Sequence, residues 1–581
     1  MKSTYKILAV AFLMLFTVQC EVIDSDLLNN PNAVSPEEVD PNFLLNNIQM
    51  QTRAVYTSAA GTGRAMTRMG YMFGSTYGNA YAPTSFNAIH QTAYSSVLID
   101  INNLLEITGE RELFFHQGMA KVFKAYTLMV MVDVFGDMPY SEALLGAERL
   151  NPELDSGSDI YAAALELLDE AVADLQNTDR VGMPANDLYF SGSTANKVDR
   201  WVRVANTLKL KAYLNLGEAG PINDLVANGA DNLIWTNSHN WTFDYSTTDT
   251  NPDSRHPLYS GNYVDLASAY MSVGYMNMLL NDKGNLVDPR LRYYMYRQTN
   301  SDTDDTSLNT CAGSTRPTHY EQNFPNAPYC FPGGNGEDQG WWGRDHLIDD
   351  GIPPDRGLRT TYGVYPAGGQ FDANQAQSVD DGMGLQGAGF EPIMMASFTR
   401  FMIAEAIVRL GASGNAEEHL EEAVRLSMEA VRDFGEPVAV AQVNAQINAA
   451  VDALEDPEPE DIEAIEEEWN ALLISDEDID DYWNVVQGRF GGDQVGTIAM
   501  EFYLALWPNG YEAYNLMRRT DRPNATDNLQ PAQQTANPGT WYRSFLYPAN
   551  LVNRNANVSQ KTNVGQGPFW DPNSGSTTFN F

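Results

Sequence analysis

The chain has 581 residues, of which 43% are hydrophobic and 11% aromatic, so it is long enough to bury a large core. Its 35 Lys and Arg residues against 76 Asp and Glu residues give a formal net charge of −41. This balance argues against a nucleic-acid-binding role and against docking on an anionic lipid surface by charge alone, because both need clustered basic side chains.

The N-terminal residues 1–19 are predicted to form a signal peptide. Basic residues precede an apolar run, Ile7–Val18, which is too short to span a bilayer but fits the core of a signal peptide. The run ends at Cys20, in the position that becomes lipid-modified in bacterial lipoproteins. We therefore predict a lipidated N-terminus and polar tether over residues 20–40, with the lipid as the contact to the membrane. The alternative is ordinary cleavage nearby and an incidental cysteine.

The cysteine count suggests one disulfide bond. The chain contains three cysteines, Cys20, Cys311 and Cys330. Once the lipid-bearing cysteine is set aside, an even pair remains in an exported protein, so we predict a Cys311–Cys330 disulfide. It would contribute about 3 kcal/mol by restricting the unfolded chain. Two reduced, buried thiols are the alternative, and a metal site does not follow without histidines at ligand spacing.

Helical periodicity dominates from residue 41 onwards. Apolar residues recur at three- and four-residue spacing in four segments, which predicts four amphipathic helices. Their apolar faces lie within Phe115–Val130, Tyr161–Leu175, Trp201–Ala212 and Met394–Val408. The fourth helix should end at Gly411, and the next should begin at Asn415, whose side chain can cap the free amides. The short connection between these two helices requires them to lie antiparallel.

The stretch 230–390 has a different character. It is rich in Asn, Gly, Pro, Tyr and Trp, and its pattern predicts one helix, around Leu266–Leu280. Long irregular segments on a helical scaffold usually carry function. We therefore predict an all-α scaffold of paired helices whose ligand region is this loop-rich stretch.

Six sequence blocks follow one another in a characteristic order after Cys20. They are Val132–Ala143 (VDVFGDMPYSEA), Asp187–Gly192 with Trp201 and Ala205–Lys211, Asp288–Leu291, Arg344–His346 with Gly363–Gly369, Trp507–Tyr514 with Arg518–Pro523, and Tyr547–Pro548 with Asn553–Asn555. In this order, behind a lipoprotein signal, the blocks resemble the SusD/RagB family, specifically its SusD-like lipoprotein branch.

The resemblance implies a single α-helical domain over residues 41–581, built of tetratricopeptide-like helix pairs with long irregular loop insertions. It implies a non-catalytic lipoprotein on the extracellular face of the outer membrane, which captures a nutrient and delivers it to a TonB-dependent, SusC-like transporter. An oligosaccharide is the expected cargo, and no cofactor is implied. A peptide-binding member of the same family and a secreted helical glycoside hydrolase or lyase are the alternatives.

Known catalytic and metal-binding motifs are missing from the sequence. It contains no HExxH motif, no G-x-S-x-G elbow, no Walker loop and no dinucleotide fingerprint. Aspartates within 302–305 and 476–480 could supply oxygen ligands to calcium, but both runs lack the glycine and distal glutamate of an EF-hand loop. No metal site is therefore predicted.

Several motif residues are expected to serve the fold. Gly136 is free to take a positive φ at a helix stop. Arg518 and Arg519 should pair with carboxylates inside this acidic protein. Glu405 lies on the apolar stripe of its helix, so it should be paired or hydrogen-bonded rather than catalytic.

The ligand site is predicted where rings and polar groups occur together, because sugars stack their C–H faces on rings and offer hydroxyls to polar partners. The first region is Tyr71–Phe86, which precedes a helix much as a family binding loop does. The second lies in the irregular stretch. The candidate residues are Tyr77, Asn79, Tyr81 and Phe86 in the first region and Trp341, Trp342, Arg344 and Asp345 in the second. We expect an open aromatic shelf of the two tryptophans with Tyr81, and core packing is the alternative for each ring.

Non-reducing peptide mapping of the native protein tests the predicted disulfide. We expect the peptides that contain Cys311 and Cys330 to appear as one linked pair, which separates on reduction. Two free thiols that alkylate readily in the untreated protein would contradict the prediction.

Overall fold

The computed structural model describes residues 39–179, 182–265, 270–284, 286–300, 340–347, 356–527, 529, 537–576 and 579. The signal peptide, Cys20, the Cys311–Cys330 pair and the aspartates within 302–305 lie outside these residues.

Helices account for most of the described chain. In order they are α1 (Pro41–Met66), α2 (Tyr77–Ala80), α3 (Asn87–Thr92), α4 (Ile99–Glu110), α5 (Phe114–Phe135), α6 (Gly157–Gln176), α7 (Thr194–Leu216), α8 (Ala219–Val226), α9 (Gly229–Asn232), α10 (Pro257–Tyr259), α11 (Val273–Asn281), α12 (Leu291–Tyr294), α13 (Ala396–Leu410), α14 (Ala416–Asp452), α15 (Pro459–Asn470), α16 (Asp476–Phe490), α17 (Gln494–Ala505), α18 (Gly510–Thr520) and α19 (Ala549–Arg554). Shorter 3-10 turns lie at Pro83–Phe86, Gly146–Glu148, Asn237–His239, Arg356–Leu358 and Ala525–Asp527, and π-helical turns lie at Ala93–Leu98 and Ser260–Val264.

The four predicted amphipathic helices form, although Met394, expected on the fourth, lies two residues before α13. Two of the predicted helix ends follow the expected chemistry. Helix α5 stops at Gly136, whose φ of +80° is the positive value that the sequence suggested. Asn415 caps α14, since its side-chain oxygen accepts a hydrogen bond from the amide of Glu417 at 3.1 Å. None of the described helices is both long and apolar enough to cross a membrane.

Neighbouring helices pack as pairs around one hydrophobic core. Helices α5, α6 and α7 pack in sequence, and α13 packs against α14, so the predicted all-α fold of paired helices is confirmed. The first helix, α1, packs against α18 near the other end of the chain. Their backbones touch at two glycines, because a Cβ atom on Gly63 would collide with the carbonyl oxygen of Gly510. The core runs from Leu45 to Phe579.

The loop-rich stretch contains two small antiparallel sheets. Strand β1 (Trp241–Asp244) pairs with β4 (Phe390–Met394), and β2 (Met295–Tyr296) pairs with β3 (Thr361–Tyr362). The helix expected around Leu266–Leu280 is observed later, as α11. The residues just before α11 instead form backbone bridges to distant segments, so long-range hydrogen bonds override the local helical pattern.

A buried carboxylate, Asp133, ties the helices together. It lies in α5 with no exposed surface and accepts hydrogen bonds from Lys211 Nζ at 2.8 Å, Tyr511 OH at 2.6 Å, Trp570 Nε1 at 2.9 Å and Tyr161 OH. Burial alone would raise the pKa of Asp133, but the charge of Lys211 and these donors outweigh burial and hold the pKa below its ordinary value. One side chain thus joins α5, α6, α7, α18 and the C-terminal segment.

The motif arginines are structural, but they differ in their partners. Arg519 binds Glu405 through two hydrogen bonds, of 2.7 and 2.8 Å, which confirms the predicted carboxylate pairing and accounts for a charge on an apolar stripe. The expectation of a carboxylate partner is wrong for Arg518. This guanidinium donates to the backbone carbonyls of Asp133 and Arg543, because it stands beside a helix end and a loop whose carbonyls need donors.

Substituting Asp133 should destabilise the fold. In Asp133→Asn the ammonium of Lys211 loses its 2.8 Å carboxylate partner in a dry environment and keeps only the longer 3.5 Å carboxylate contact with Glu512, so we expect the free energy of unfolding to fall by about 3 kcal/mol at neutral pH. Because the pKa of the folded carboxyl is depressed, its contribution is complete above the ordinary aspartate value and is lost as pH falls through the folded value. The difference from wild type should therefore shrink in acid.

Urea unfolding at several pH values measures this difference. The matched control is Asp456→Asn, an exposed aspartate between α14 and α15, which should leave stability nearly unchanged. Equal stability of Asp133→Asn and wild type at neutral pH would show that the buried carboxylate is not needed.

Candidate ligand-binding surface

Segments 70–86 and 340–347 contain the two regions that the sequence marked as ligand regions, Tyr71–Phe86 and Trp341–Asp345, and they meet in the structure. The amide of Leu347 donates to the carbonyl of Met72 at 3.0 Å. The rings of Tyr77 and His346 lie 5.7 Å apart between centroids. The candidate residues from both segments are therefore parts of one neighbourhood, although more than 250 positions separate them in sequence.

A third segment, residues 270–273, lies between the other two. The amide of Tyr71 donates to the carbonyl of Tyr270 at 3.4 Å, and the amide of Arg344 donates to Met271 at 2.9 Å. The guanidinium of Arg344 lies over the ring of Tyr270, 4.9 Å from its centroid, and 5.8 Å from that of Tyr71. A cation held between two rings fixes the relative positions of the three segments.

The tryptophan pair does not form the open shelf that was expected. Trp341 and Trp342 are only 1% and 3% exposed. The amide of Trp342 is bonded to Thr360 Oγ1 at 2.8 Å, and the two indoles lie against the guanidinium groups of Arg297 and Arg359. The expectation of an exposed pair is wrong, because backbone pairing draws this glycine-rich loop into the core and arginines cover both rings. Ligand contact by these residues stays a prediction.

Most of the other candidate residues also lie below the surface. Tyr77, Phe86, Arg344 and Asp345 are buried. Phe86 stacks on Phe545 with 4.7 Å between ring centroids, which is a packing role. These residues support the surface from beneath, and their contact with a ligand stays a prediction.

Four accessible side chains of the first segment carry a ring or an amide, and two of them are predicted residues while two were not singled out. Asn79 is exposed and Tyr81 is half-buried. Phe73 is 51% exposed, and Tyr71 is half-buried above Arg344. The sequence carried a signal for Phe73, since it precedes Gly74 in a turn, where a large ring is difficult to bury. We call these four side chains the ring-and-amide surface.

One imidazole beneath this surface, that of His346, is not poised to gain a charge near neutral pH. His346 is fully buried, and burial, with the nearby charge of Arg68, holds its pKa well below the usual range. The imidazole is therefore neutral. Since the pKa of Arg68 is lowered by burial from a value far above neutrality, that side chain stays cationic.

Buried carboxylates do not form an acid–base pair in the described clefts. A cleft of about 390 Å³ between α16 and α17 is the most acidic, but each of its carboxylates has a basic partner. The pairs are Asp282 with Arg489, Glu501 with Lys283, and both Asp493 and Asp527 with Arg522. Burial raises the pKa of Glu391 and of Glu512, as a general acid requires, but neither lines a described cleft.

The aspartate run 476–480 is used in helix capping and ion pairing. Asp478 forms a capping box with Ser475 at the start of α16, and Asp476 pairs with Arg432 at 2.7 Å. Within the described part of the chain no group of three or more His, Cys, Asp or Glu residues is placed to hold a metal ion.

Another cleft of about 390 Å³ lies beside the VDVFGDMPYSEA block. Its walls include Tyr94, Leu144, Leu150 and Asn550, and they are more apolar than those of the acidic cleft. His90 also lines it, and burial lowers the pKa of this imidazole to about 4. Leu150 at the rim is 75% exposed.

Comparison with known proteins agrees with this architecture. Residues 31–323 match the family described as "Starch-binding associating with outer membrane", and residues 386–577 match the family described as "Susd and RagB outer membrane lipoprotein". No curated protein matches the chain.

Several solved structures share the fold. A SusD/RagB family protein from Bacteroides thetaiotaomicron has a TM-score of 0.59 at 18% sequence identity, over 92% of this chain and 100% of that one. A SusD homolog from Bacteroides fragilis has a TM-score of 0.57 at 16% identity, and a protein described as chitin-binding has 0.57 at 17%, each over 92% of this chain and 100% of the other.

Paired helices with long loop insertions define the fold class that this chain shares with these solved structures. The two family matches make the assignment specific: this chain belongs to the SusD/RagB family.

Proposed function

We propose that this protein is a non-catalytic cell-surface lipoprotein that captures an oligosaccharide and delivers it to a TonB-dependent, SusC-like transporter in the outer membrane. The observation that carries the proposal is the contact between segments 70–86 and 340–347. The first of these segments presents the ring-and-amide surface.

The chemistry of the ring-and-amide surface suits a sugar. Phe73 and Tyr71 offer apolar faces on which sugar C–H groups can stack. The exposed amide of Asn79 offers a donor and an acceptor for hydroxyls. Asn79 is held in place because its side-chain NH2 donates to Ser75 Oγ at 3.0 Å and its backbone amide caps on Thr76. An exposed surface of this kind binds without enclosing its ligand, which suits a protein that must release cargo to a transporter.

Two observations support a binding role over hydrolysis. A glycosidase needs two opposed carboxyl groups in its cleft, one of them protonated. The carboxylates of the acidic cleft are neutralised by arginine or lysine, and the ring-and-amide surface contains no carboxylate among its four side chains. The cargo proposal also agrees with the family description that names starch binding.

Replacing the exposed ring tests the binding surface. We expect Phe73→Ala to weaken binding of the best ligand from a panel of malto-, cello-, xylo- and chitohexaose by about tenfold, since one lost stacking contact is worth about 1 kcal/mol or more. Isothermal titration calorimetry measures the affinity. The matched control is Phe43→Ala, which removes a ring that is 75% exposed at the start of α1 and should leave binding unchanged.

The buried tryptophans give a contrasting readout. Trp341→Ala should lower the melting temperature markedly, because it empties a core position at a cost of about 3–5 kcal/mol.

Equal ligand affinity of Phe73→Ala and wild type would place the site elsewhere. Rapid cleavage of any oligosaccharide in the panel would contradict the non-catalytic proposal.

Membrane attachment is tested separately at Cys20. A Cys20→Ala variant should lose both its acyl label and its outer-membrane fractionation, because it lacks the thiol to which the lipid is proposed to be attached. The matched control is a Cys311→Ala, Cys330→Ala double variant, which should keep the label. A Cys20→Ala protein that still fractionates with membranes, in cells lacking the transporter, would show that the anchor lies elsewhere.

A further inference from the structure

A separate cleft opens on another part of the molecule, between the β1–β4 ribbon, the start of α7 and the middle of α14. Its volume of about 570 Å³ lies within the range of roughly 300–1,000 Å³ that small-molecule sites occupy. None of the residues that line it belongs to segments 70–86 or 340–347, so it is distinct from the ring-and-amide surface. We call it the ribbon cleft.

Aromatic side chains form the walls of the ribbon cleft. Phe390 of β4 and Phe434 of α14 pack edge to face, with 4.8 Å between ring centroids. Phe390 is 7% exposed and serves as support, whereas Phe434 and Tyr245 are half-buried and keep ring surface accessible. On the α7 side, the guanidinium of Arg200 lies 5.5 Å from the ring centroid of Phe190. Phe190 is 3% exposed and lies under this guanidinium, so the accessible ring surface of the cleft is that of Phe434 and Tyr245.

Amide and hydroxyl groups lie between these rings. Asn240 is fixed because its side-chain oxygen accepts from the amide of Ala396 at 2.7 Å, and Asn237 is fixed because its NH2 donates to the carbonyl of Leu426 at 3.0 Å. Asn240 also donates to Asn237 at 3.3 Å. Each NH2 group has two hydrogens and uses one in these contacts, so each keeps a second hydrogen for a ligand. The exposed hydroxyls of Ser191 and Ser238 lie at the rim.

Helix α14 adds an acceptor beside the accessible ring. Pro437 lies inside this helix and has no amide hydrogen, so it cannot donate to the carbonyl of Asp433, four residues earlier. Asp433 and Phe434 both line the ribbon cleft. A backbone acceptor without its usual helical donor thus lies next to a half-buried ring.

We infer that the ribbon cleft is a second carbohydrate-binding site, which takes a neutral oligosaccharide. Half-buried rings supply stacking faces, and preoriented amides, hydroxyls and a backbone acceptor supply partners for sugar hydroxyls. The charged lining groups include both signs, with Arg200 against Asp244 and Asp433, so the cleft does not select a strongly charged ligand. The site goes beyond the proposed function, because it requires no contact with the ring-and-amide surface.

Filling the cleft tests the inference. Ser238→Trp and Ser191→Trp each place a large side chain at the rim without removing a core group, since both serines are exposed. The matched control is Ser559→Trp, an exposed serine that lines none of the described clefts. Each variant is titrated with malto-, cello-, xylo- and chitohexaose by calorimetry, beside Phe73→Ala, and thermal melting checks that all four proteins are folded.

Two binding events are expected for at least one hexaose with wild type. Each cleft-filling variant should weaken one event by about tenfold or more and leave the other, and Ser559→Trp should keep both. Phe73→Ala should weaken, by about tenfold, only the event that the cleft-filling variants leave. If the cleft-filling variants change neither event, or if Phe73→Ala abolishes all binding, the second site is refuted while the proposed function stands. If filling the cleft abolishes all binding and Phe73→Ala has no effect, the ribbon cleft is a site and the ring-and-amide surface is not.

Discussion

The fold depends on one buried anion. Asp133 carries a full charge inside the helical core, where an unpaired carboxylate would be strongly unfavourable. It is tolerated because a lysine, two phenols and an indole from different parts of the chain all donate to it. Each of those donors is itself buried, so it also needs the carboxylate. The arrangement is mutual, and it locks helices from both halves of the sequence into a single relative orientation.

This rigid scaffold explains how irregular segments can present a defined binding surface. Residues 70–86, 270–273 and 340–347 contain little regular structure, yet backbone hydrogen bonds and the guanidinium of Arg344 between two tyrosine rings hold them together. The ribbon cleft is built in a similar way, since a two-stranded ribbon and a 3-10 turn rest against long helices. In both places the helices stabilise the fold, and the loops between them present the side chains that could contact a ligand.

Local patterns in the sequence were sufficient for the helices and for several of their contacts. The spacing of apolar residues predicted α5, α6, α7 and α13, and a carboxylate on an apolar stripe was enough to predict that Glu405 is paired. The burial of Trp341 could not be predicted in this way. An indole in a glycine-rich loop looks exposed until Arg297, distant in sequence, is placed over it. When distant segments surround a residue, the local spacing of apolar residues does not predict whether that residue is buried.

The contact between α1 and α18 has a consequence for how the protein is made. A ribosome completes α1 more than 400 residues before it reaches Gly510, against whose carbonyl Gly63 is packed. Until then the side of α1 that packs on α18 is uncovered, while α3, α4 and α5 already pack against the same helix. The native fold therefore cannot be completed while the chain is being synthesised. The contacts between α1 and α18 are among the most distant in sequence, and contacts of this kind slow folding. A chain that ends early, before α18, leaves uncovered the side of α1 on which Gly510 packs, although the contacts of α1 with α3, α4 and α5 remain.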